Sequence, residues 1–263
     1  MPRPRFVVFD LDGTLVDSQA GILRSFHATL RDRGRSASDG ELLHLIGPPL
    51  GQSFARLGFA GDEIDEVVAL YRRYYDQEGV DLCHLYDGVE EMLEALGDNG
   101  VRLGVATAKR VDFATRMLAN LGVRRFFACV SGVSLDGRLT TKPEVVGDAL
   151  GLLGEHEGHG GWMVGDRRED VLAALAHDLI PVGALWGYGS RDELSESGAR
   201  VLAASPREML RLMSDCHPPG RRWRPPGEQE PWGAGCHLRL DARSDAVGGS
   251  SARFQGPDAN RPA

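Results

Sequence analysis

The 263-residue sequence contains only four cysteines, and no two of them are close together in the chain. This scarcity argues against a disulfide framework, so we predict reduced thiols in a cytoplasmic protein. No apolar run approaches the length of a membrane span, and residues 1–5 lack the pattern of a signal peptide. The chain also carries no excess of positive charge, since its formal net charge is −8 at pH 7. We therefore expect neither a membrane nor nucleic acid as a partner.

The composition that is present is typical of a globular protein. Hydrophobic residues make up 42% of the chain and charged residues 26%. A chain of this length can bury one large core, or one core together with a small second unit. The sequence leaves the oligomeric state open between a monomer and a homodimer.

An Asp-x-Asp motif follows the first apolar run. Residues 6–9 are typical of a buried strand, and Asp10 and Asp12 come directly after them. Gly13 permits a sharp turn at this point. Open α/β sheets bind ligands at the carboxyl ends of their strands, so the pair can face a ligand. Two carboxylates suit a hard cation, or a nucleophile beside an acid–base group, although an acidic surface turn explains Asp-x-Asp alone at least as well.

The chain then changes from helical to alternating periodicity. Residues 18–83 contain no convincing strand, which predicts a helical bundle inserted after the first strand. From Tyr86 onwards strands alternate with helices, which predicts right-handed crossovers and a mostly parallel sheet. The later predicted strands are 101–106, 126–131, 162–164 and 180–185, with an edge strand at 201–203. The predicted fold class is α/β, a Rossmann-like parallel sheet with helices on both faces and an inserted helical cap.

Within the helical segment, Ser18 is the predicted N-cap of the first helix. Further helices are predicted at 39–46 and 62–77, and the Gly-Pro-Pro-Leu-Gly string at 47–51 is interpreted as a rigid turn. After Cys216 the sequence is rich in glycine, proline, arginine and serine and loses its periodic apolar residues. Such a segment cannot bury enough apolar surface to fold, so a disordered tail is predicted for 216–263.

Polar residues near the ends of later strands complete a candidate site. Thr107 follows the second core strand, Lys142 opens a helix, and Asp166 and Asp170 follow the fourth strand. Each has an ordinary explanation, as a helix cap, a surface lysine or acids at a helix dipole. Together they suit a phosphate monoester, because its negative charges need a divalent cation among these carboxylates. A threonine hydroxyl and a lysine ammonium can hold the phosphoryl oxygens.

The string Asp-Leu-Asp-Gly-Thr-Leu-Val-Asp-Ser, followed by these later residues, resembles the haloacid dehalogenase-like phosphatases. The resemblance covers about residues 5–213 and is closest to the phosphoglycolate phosphatase-like branch with a helical cap. It implies that Asp10 is a nucleophile that forms an aspartyl-phosphate. It also implies that Asp12 protonates the leaving group and then activates water. Mg²⁺ is the cofactor that the resemblance implies.

The resemblance also assigns the remaining roles and the domains. The substrate phosphate is expected to be bound by Thr107, Ala108 and Lys142, and the metal by Asp10, Asp166, Asp170 and the main-chain carbonyl of Asp12. The expected domains are a catalytic core at 1–17 and 84–215, a cap at 18–83 and the tail at 216–263. One departure is the Thr-Ala-Lys string at 107–109, where serine or asparagine more usually follows the threonine.

Several activities remain compatible with this resemblance. The leading hypothesis is hydrolysis of a small phosphorylated metabolite. Phosphoglycolate is the first candidate substrate, and a nucleoside monophosphate or pyrophosphate is the alternative. A sugar-phosphate mutase could use the same scaffold, and cap residues would decide between the two. A phosphonatase is disfavoured because residues 18–83 contain no lysine. A non-catalytic phosphate-binding protein is disfavoured because both Asp10 and Asp12 are present.

Overall fold

The computed structural model describes residues 4–155 and 158–214, so the predicted tail at 216–263 lies outside the described residues. The strands are β1 (Phe6–Phe9), β2 (Val16–Asp17), β3 (His84–Leu85), β4 (Arg102–Arg110), β5 (Cys129–Val133), β6 (Gly161–Gly165), β7 (Ile180–Ala184) and β8 (Val201–Ala203). Six of them form one parallel sheet in the order β5-β4-β1-β6-β7-β8. This sheet confirms the predicted α/β class and the edge strand.

Helices cover both faces of the sheet. They are α1 (Gln19–Asp32), α2 (Asp39–Leu43), α3 (Leu50–Arg56), α4 (Glu63–Tyr74), α5 (Val89–Asp98), α6 (Val111–Asn120), α7 (Lys142–Leu152), α8 (Arg168–Ala176), α9 (Arg191–Glu196) and α10 (Pro206–Ser214). Side chains alternate between the two faces of a strand. Val7 and Phe9 accordingly pack with residues of α5 and α6, whereas Phe6 and Val8 pack with residues of α7 and α8.

The regular elements between residues 18 and 83 are all helical, as predicted. Helices α1–α4 and a π-helical turn at Tyr75–Gly79 lie between β2 and β3, which pair with each other antiparallel. Their aromatic side chains pack together: the Phe26 ring lies 5.3 Å from Phe54 and 4.8 Å from Tyr71, measured between centroids. This insertion is the helical cap of the fold, and its proposed limits of 18–83 remain a prediction.

Several element boundaries differ from the prediction. The predicted strand 126–131 is a 3-10 turn at Arg124–Phe126 followed by β5, because Phe127 is buried by packing edge-on against Phe9 rather than by strand pairing. The predicted rigid turn at 47–51 overlaps a helix, because α3 begins at Leu50. Helix α9 was not predicted from the sequence. No helix among the described residues is long and apolar enough to cross a membrane.

Candidate active site

Three buried aspartates meet at the carboxyl ends of neighbouring strands. Asp10 follows β1, Asp166 follows β6, and Asp170 lies in the first turn of α8. One carboxylate oxygen of each lies within 4.8 Å of the others. The parallel pairing of β1 with β6 brings these positions together although they are far apart in sequence. Such a set of oxygen donors suits a hard divalent cation such as Mg²⁺ better than a softer metal.

Lys142, the first residue of α7, directs its ammonium group into this cluster. Its Nζ lies 2.5 Å from Asp10 Oδ1 and 2.6 Å from Asp170 Oδ1. A capping box between Thr141 and Glu144 fixes the start of α7 and so places the lysine. Burial alone would lower the pKa of Lys142, but the charges of the two aspartates outweigh it and raise the pKa. Lys142 is therefore positively charged at neutral pH.

The negative charge of the cluster exceeds the positive charge. Burial is the main reason that the pKa of Asp10 is raised to about 7; the charge of Asp170 adds to this effect and Lys142 opposes it. Burial, and then the charges of Asp170 and Asp10, also raise the pKa of Asp166 well above its usual range. With all three carboxylates ionised, two negative charges would remain uncompensated beside the one ammonium. A divalent cation would balance both, so the residues present fit Mg²⁺.

The loop between β7 and α9 closes around Asp166. The Tyr188 N–H donates to Asp166 Oδ2 at 2.8 Å, and the Thr14 hydroxyl donates to Oδ1 at 3.1 Å. Any side chain at Gly187 or Gly189 would overlap backbone carbonyl groups packed against this loop. The string 186–190 therefore packs directly against Asp166. Both carboxylate oxygens of Asp166 are oriented by this packing.

Asp12 is held by a separate set of contacts. Lys109 Nζ lies 3.1 Å from Asp12 Oδ1, and the Ser18 hydroxyl donates to the same oxygen. Lys109 Nζ also donates to the Tyr75 hydroxyl at 2.7 Å. Burial raises the pKa of Tyr75, so this hydroxyl is neutral and belongs to the π-helical turn of the cap. Ser18 occupies the N-cap position of α1, as predicted, but its hydroxyl bonds to Asp12 rather than to the first turn of the helix.

A cavity of about 530 Å³ is lined by residues of both the sheet edge and the cap. Six of its lining residues are predicted site residues, namely Asp10, Asp12, Thr107, Ala108, Lys142 and Asp170, and residues of α1, α3 and α4 line it as well. The hydroxyl oxygen of Thr107 accepts a hydrogen bond from the Lys109 N–H at 3.1 Å. The register of β4 shifts against β5 just after Thr107, an irregularity that is common beside active sites. The volume is in the range of small-molecule sites.

Arg167 connects the acidic cluster to the cap. Its backbone N–H donates to Asp170 Oδ2 at 3.0 Å, and its Nη1 donates to the Ile46 carbonyl at 2.6 Å. A third contact joins Arg167 Nε to Glu193 Oε1 at 3.0 Å. One residue thus orients a cluster carboxylate and contacts the segment that precedes the Gly-Pro-Pro-Leu-Gly string.

The comparison with known families agrees with this geometry. A family model of haloacid dehalogenase-like hydrolases matches residues 7–182, a span that includes all the predicted site residues. The chain belongs to the haloacid dehalogenase-like hydrolase family. This membership confirms the resemblance seen in the sequence.

Similar proteins carry different activity names. The chain is 37% identical over 200 residues to the tyrosine-protein kinase PtkA of Mycobacterium tuberculosis, covering 76% of this chain and 68% of that protein. It is 38% identical over 193 residues to a 5'-nucleotidase of Pseudomonas aeruginosa, covering 72% of this chain and 86% of the relative. A solved structure of a predicted phosphatase from Clostridium acetobutylicum matches with a TM-score of 0.77 and 33% identity, covering 82% of this chain and all of that chain.

The haloacid dehalogenase-like family and its phosphatase members support a phosphatase enzyme that acts on a phosphorylated small molecule. The structure brings Asp10, Asp166, Asp170 and Lys142 into direct proximity, and it places Thr107 and Ala108 on the same cavity. Sequence reasoning did not assign a role to Lys109, Thr14 or Arg167. Lys109 had one signal, since it lies two residues after Thr107 in the sequence.

Proposed function

We propose that this member of the haloacid dehalogenase-like family hydrolyses a phosphate monoester through an aspartyl-phosphate on Asp10, with Mg²⁺ bound by the acidic cluster. The observation that carries the proposal is the contact of Lys142 Nζ with both Asp10 and Asp170 inside a buried group of three carboxylates. The Lys142 ammonium opposes protonation of the nucleophile, and the excess of carboxylates over ammonium groups is of the kind that a divalent cation balances.

The proposed first step is attack by a carboxylate oxygen of Asp10 on phosphorus. The bond from phosphorus to the leaving oxygen breaks, and Asp12 gives its proton to that oxygen. In the second step Asp12 removes a proton from water, and the water oxygen attacks phosphorus. The Asp10 carboxylate and inorganic phosphate are thereby released, and each residue returns to its starting state.

The other predicted residues bind and orient in this proposal. Thr107, the backbone around Ala108 and the Lys142 ammonium hold the phosphoryl oxygens and stabilise the charge that shifts during transfer. Bound Mg²⁺ would be held by Asp10, Asp166, Asp170 and the carbonyl of Asp12, and would neutralise the phosphate and the carboxylates. Closure of the cap would exclude bulk water while the leaving group departs.

A second candidate function is phosphoryl transfer to tyrosine. It is favoured by the identity to PtkA, a protein named as a tyrosine-protein kinase. Such a transfer would require a phosphoryl donor and an acceptor hydroxyl in place of the attacking water. Incubation with ATP and a tyrosine copolymer, read as phosphotyrosine, separates this function from hydrolysis.

We expect Mg²⁺-dependent phosphate release from at least one monoester in a panel containing phosphoglycolate, nucleoside monophosphates, pyrophosphate and sugar phosphates. Release should cease with excess EDTA and return on addition of Mg²⁺. Pyrophosphate serves as the anhydride control, and glucose 1-phosphate is followed for isomerisation as well as hydrolysis. A folded protein that releases phosphate from no compound in the panel would contradict the proposal.

The raised pKa of Asp10 predicts a pH-dependent stability difference in the metal-free protein. Between pH 4 and about 7 the folded chain retains a proton on Asp10 that the unfolded chain has lost. The free energy of unfolding of the unsubstituted protein therefore falls as pH rises through this window. Asp10→Asn cannot ionise, so in EDTA its Tm relative to the unsubstituted protein should increase from pH 5 to pH 8. A Tm difference that stays constant over this range would contradict the assignment.

A further inference from the structure

The cations that line the cavity differ in whether a carboxylate neutralises them. The described residues contribute five to its wall: Arg72, Lys109, Arg110, Lys142 and Arg167. Four of these form an ion pair: Lys109 with Asp12, Arg110 with Asp112, Lys142 with Asp10 and Asp170, and Arg167 with Glu193. Among the described residues, no carboxylate is in ion-pair contact with Arg72.

Arg72 lies in an unfavourable environment for an unpaired charge. It is half-buried on α4, beside the buried Tyr71 and one helical turn before Tyr75. Burial, and then the nearby charge of Arg110, lower the pKa of its guanidinium. Asp65 and Asp112 act on it only at longer range. An anion bound here would relieve both the desolvation of Arg72 and its repulsion by Arg110.

The position of Arg72 relates this charge to the substrate. It belongs to the cap, whereas the proposed phosphoryl site belongs to the sheet edge, and the same cavity is lined by both. At the sheet edge Lys142 and the proposed cation already supply positive charge to the carboxylates and to the transferred phosphate. The guanidinium of Arg72 is therefore available for a group elsewhere on the substrate. A planar guanidinium binds carboxylate or phosphate oxygens in a bidentate manner.

We propose that Arg72 binds a second anionic group of the substrate, which makes the preferred substrates phosphate monoesters that also carry a carboxylate or a second phosphate. This inference rests on the proposed hydrolase function and adds its substrate class. The binding energy is gained from the cap side of the cavity, so it favours the closed arrangement only for substrates with the second anion.

The test compares two monoesters that differ in that group. Phosphoglycolate and ethyl phosphate have the same carbon skeleton, but only phosphoglycolate carries a carboxylate. Arg72→Met is expected to lower kcat/KM for phosphoglycolate by about 10- to 100-fold, mainly through KM, because a charge-assisted pair is lost. For ethyl phosphate the same change should alter kcat/KM by less than about 3-fold, since no anion reaches the position. Arg72→Lys should recover part of the loss.

Arg73→Met is the matched control. Arg73 is the next residue on α4, is exposed and does not line the cavity, so its replacement should leave the ratio between the two substrates unchanged. An equal loss for both substrates in Arg72→Met would overturn the subsite and indicate a structural role. If Arg72→Met kept the full preference for phosphoglycolate over ethyl phosphate, the proposed subsite would be overturned as well. Hydrolysis of ethyl phosphate with Mg²⁺ tests the proposed function separately, because it does not require Arg72.

Discussion

Replacing Asp10 with asparagine is expected to abolish phosphate release, lowering kcat by at least about a thousandfold. The amide has nearly the same shape as the carboxylate, so the fold and the cavity are kept. It is a far poorer nucleophile, and it cannot form the charged contact that Lys142 makes with Asp10 in the unsubstituted protein. The measurement is steady-state phosphate release at saturating Mg²⁺, combined with acid quenching to trap labelled aspartyl-phosphate.

Asp148→Asn provides the matched control for this experiment. Asp148 is a carboxylate on α7 that accepts a hydrogen bond from the Ser131 hydroxyl at 2.6 Å, and it does not line the cavity. Its replacement should leave kcat within about twofold of the unsubstituted protein. The nucleophile would have to be sought elsewhere if Asp10→Asn kept more than a tenth of the activity, or if labelled aspartyl-phosphate still formed in it.

The fold and the acidic cluster were accessible from the sequence because both depend on local patterns. An apolar strand followed by a polar residue places that residue at the sheet edge, and β1 and β6 both have this pattern. Asp10 and Asp166 could therefore be predicted to lie together once a parallel sheet was inferred. Lys142 was predictable for the same reason, since it opens the helix that follows β5.

The contacts of Asp12 were not accessible in this way. Its partner Lys109 lies beyond the strand end that periodicity predicted, because β4 continues to Arg110 after a shift of register. The second contact of Lys109, with Tyr75, depends on how the cap packs against the sheet. Periodicity within α4 shows which face is apolar, but not which residue of the core that face meets. For the same reason Arg72 could not be distinguished from Arg73 in the sequence.

The structure therefore separates two electrostatic environments in one site. Asp10 lies in the buried cluster with Lys142, whereas Asp12 bonds to Lys109 and to the Ser18 hydroxyl. A nucleophile must be ionised at the start of the reaction, while a general acid must give up a proton and later take one back. Separate partners would allow the two carboxylates to perform the roles that we propose for them in sequence. Because Lys109 also contacts Tyr75, the position of Asp12 is tied to the cap.

These separate roles predict a distinctive result for Asp12→Asn. With ethyl phosphate, whose leaving group needs a proton, kcat is expected to fall by about 10²- to 10⁴-fold. With p-nitrophenyl phosphate the leaving group departs as a stable anion, so the first step should survive. Hydrolysis of the aspartyl-phosphate still needs the base, so turnover should stop at the intermediate. Stopped-flow absorbance should show a burst of about one nitrophenolate per active site, followed by slow release.

The burst distinguishes acid–base chemistry from a general loss of structure. A destabilised site would lose activity on both substrates and in both steps together. Loss of the proton donor would instead lower the activity on ethyl phosphate more than the first step with p-nitrophenyl phosphate. Ser18→Ala removes one hydrogen bond to Asp12 without removing its carboxylate, so it should show the same dependence on leaving group with a smaller magnitude. Equal losses for ethyl and p-nitrophenyl phosphate in Asp12→Asn, without a burst, would remove Asp12 from the mechanism. The leaving group would then require a different proton donor, and Lys109, which contacts Asp12 from the cavity wall, would be the next residue to replace.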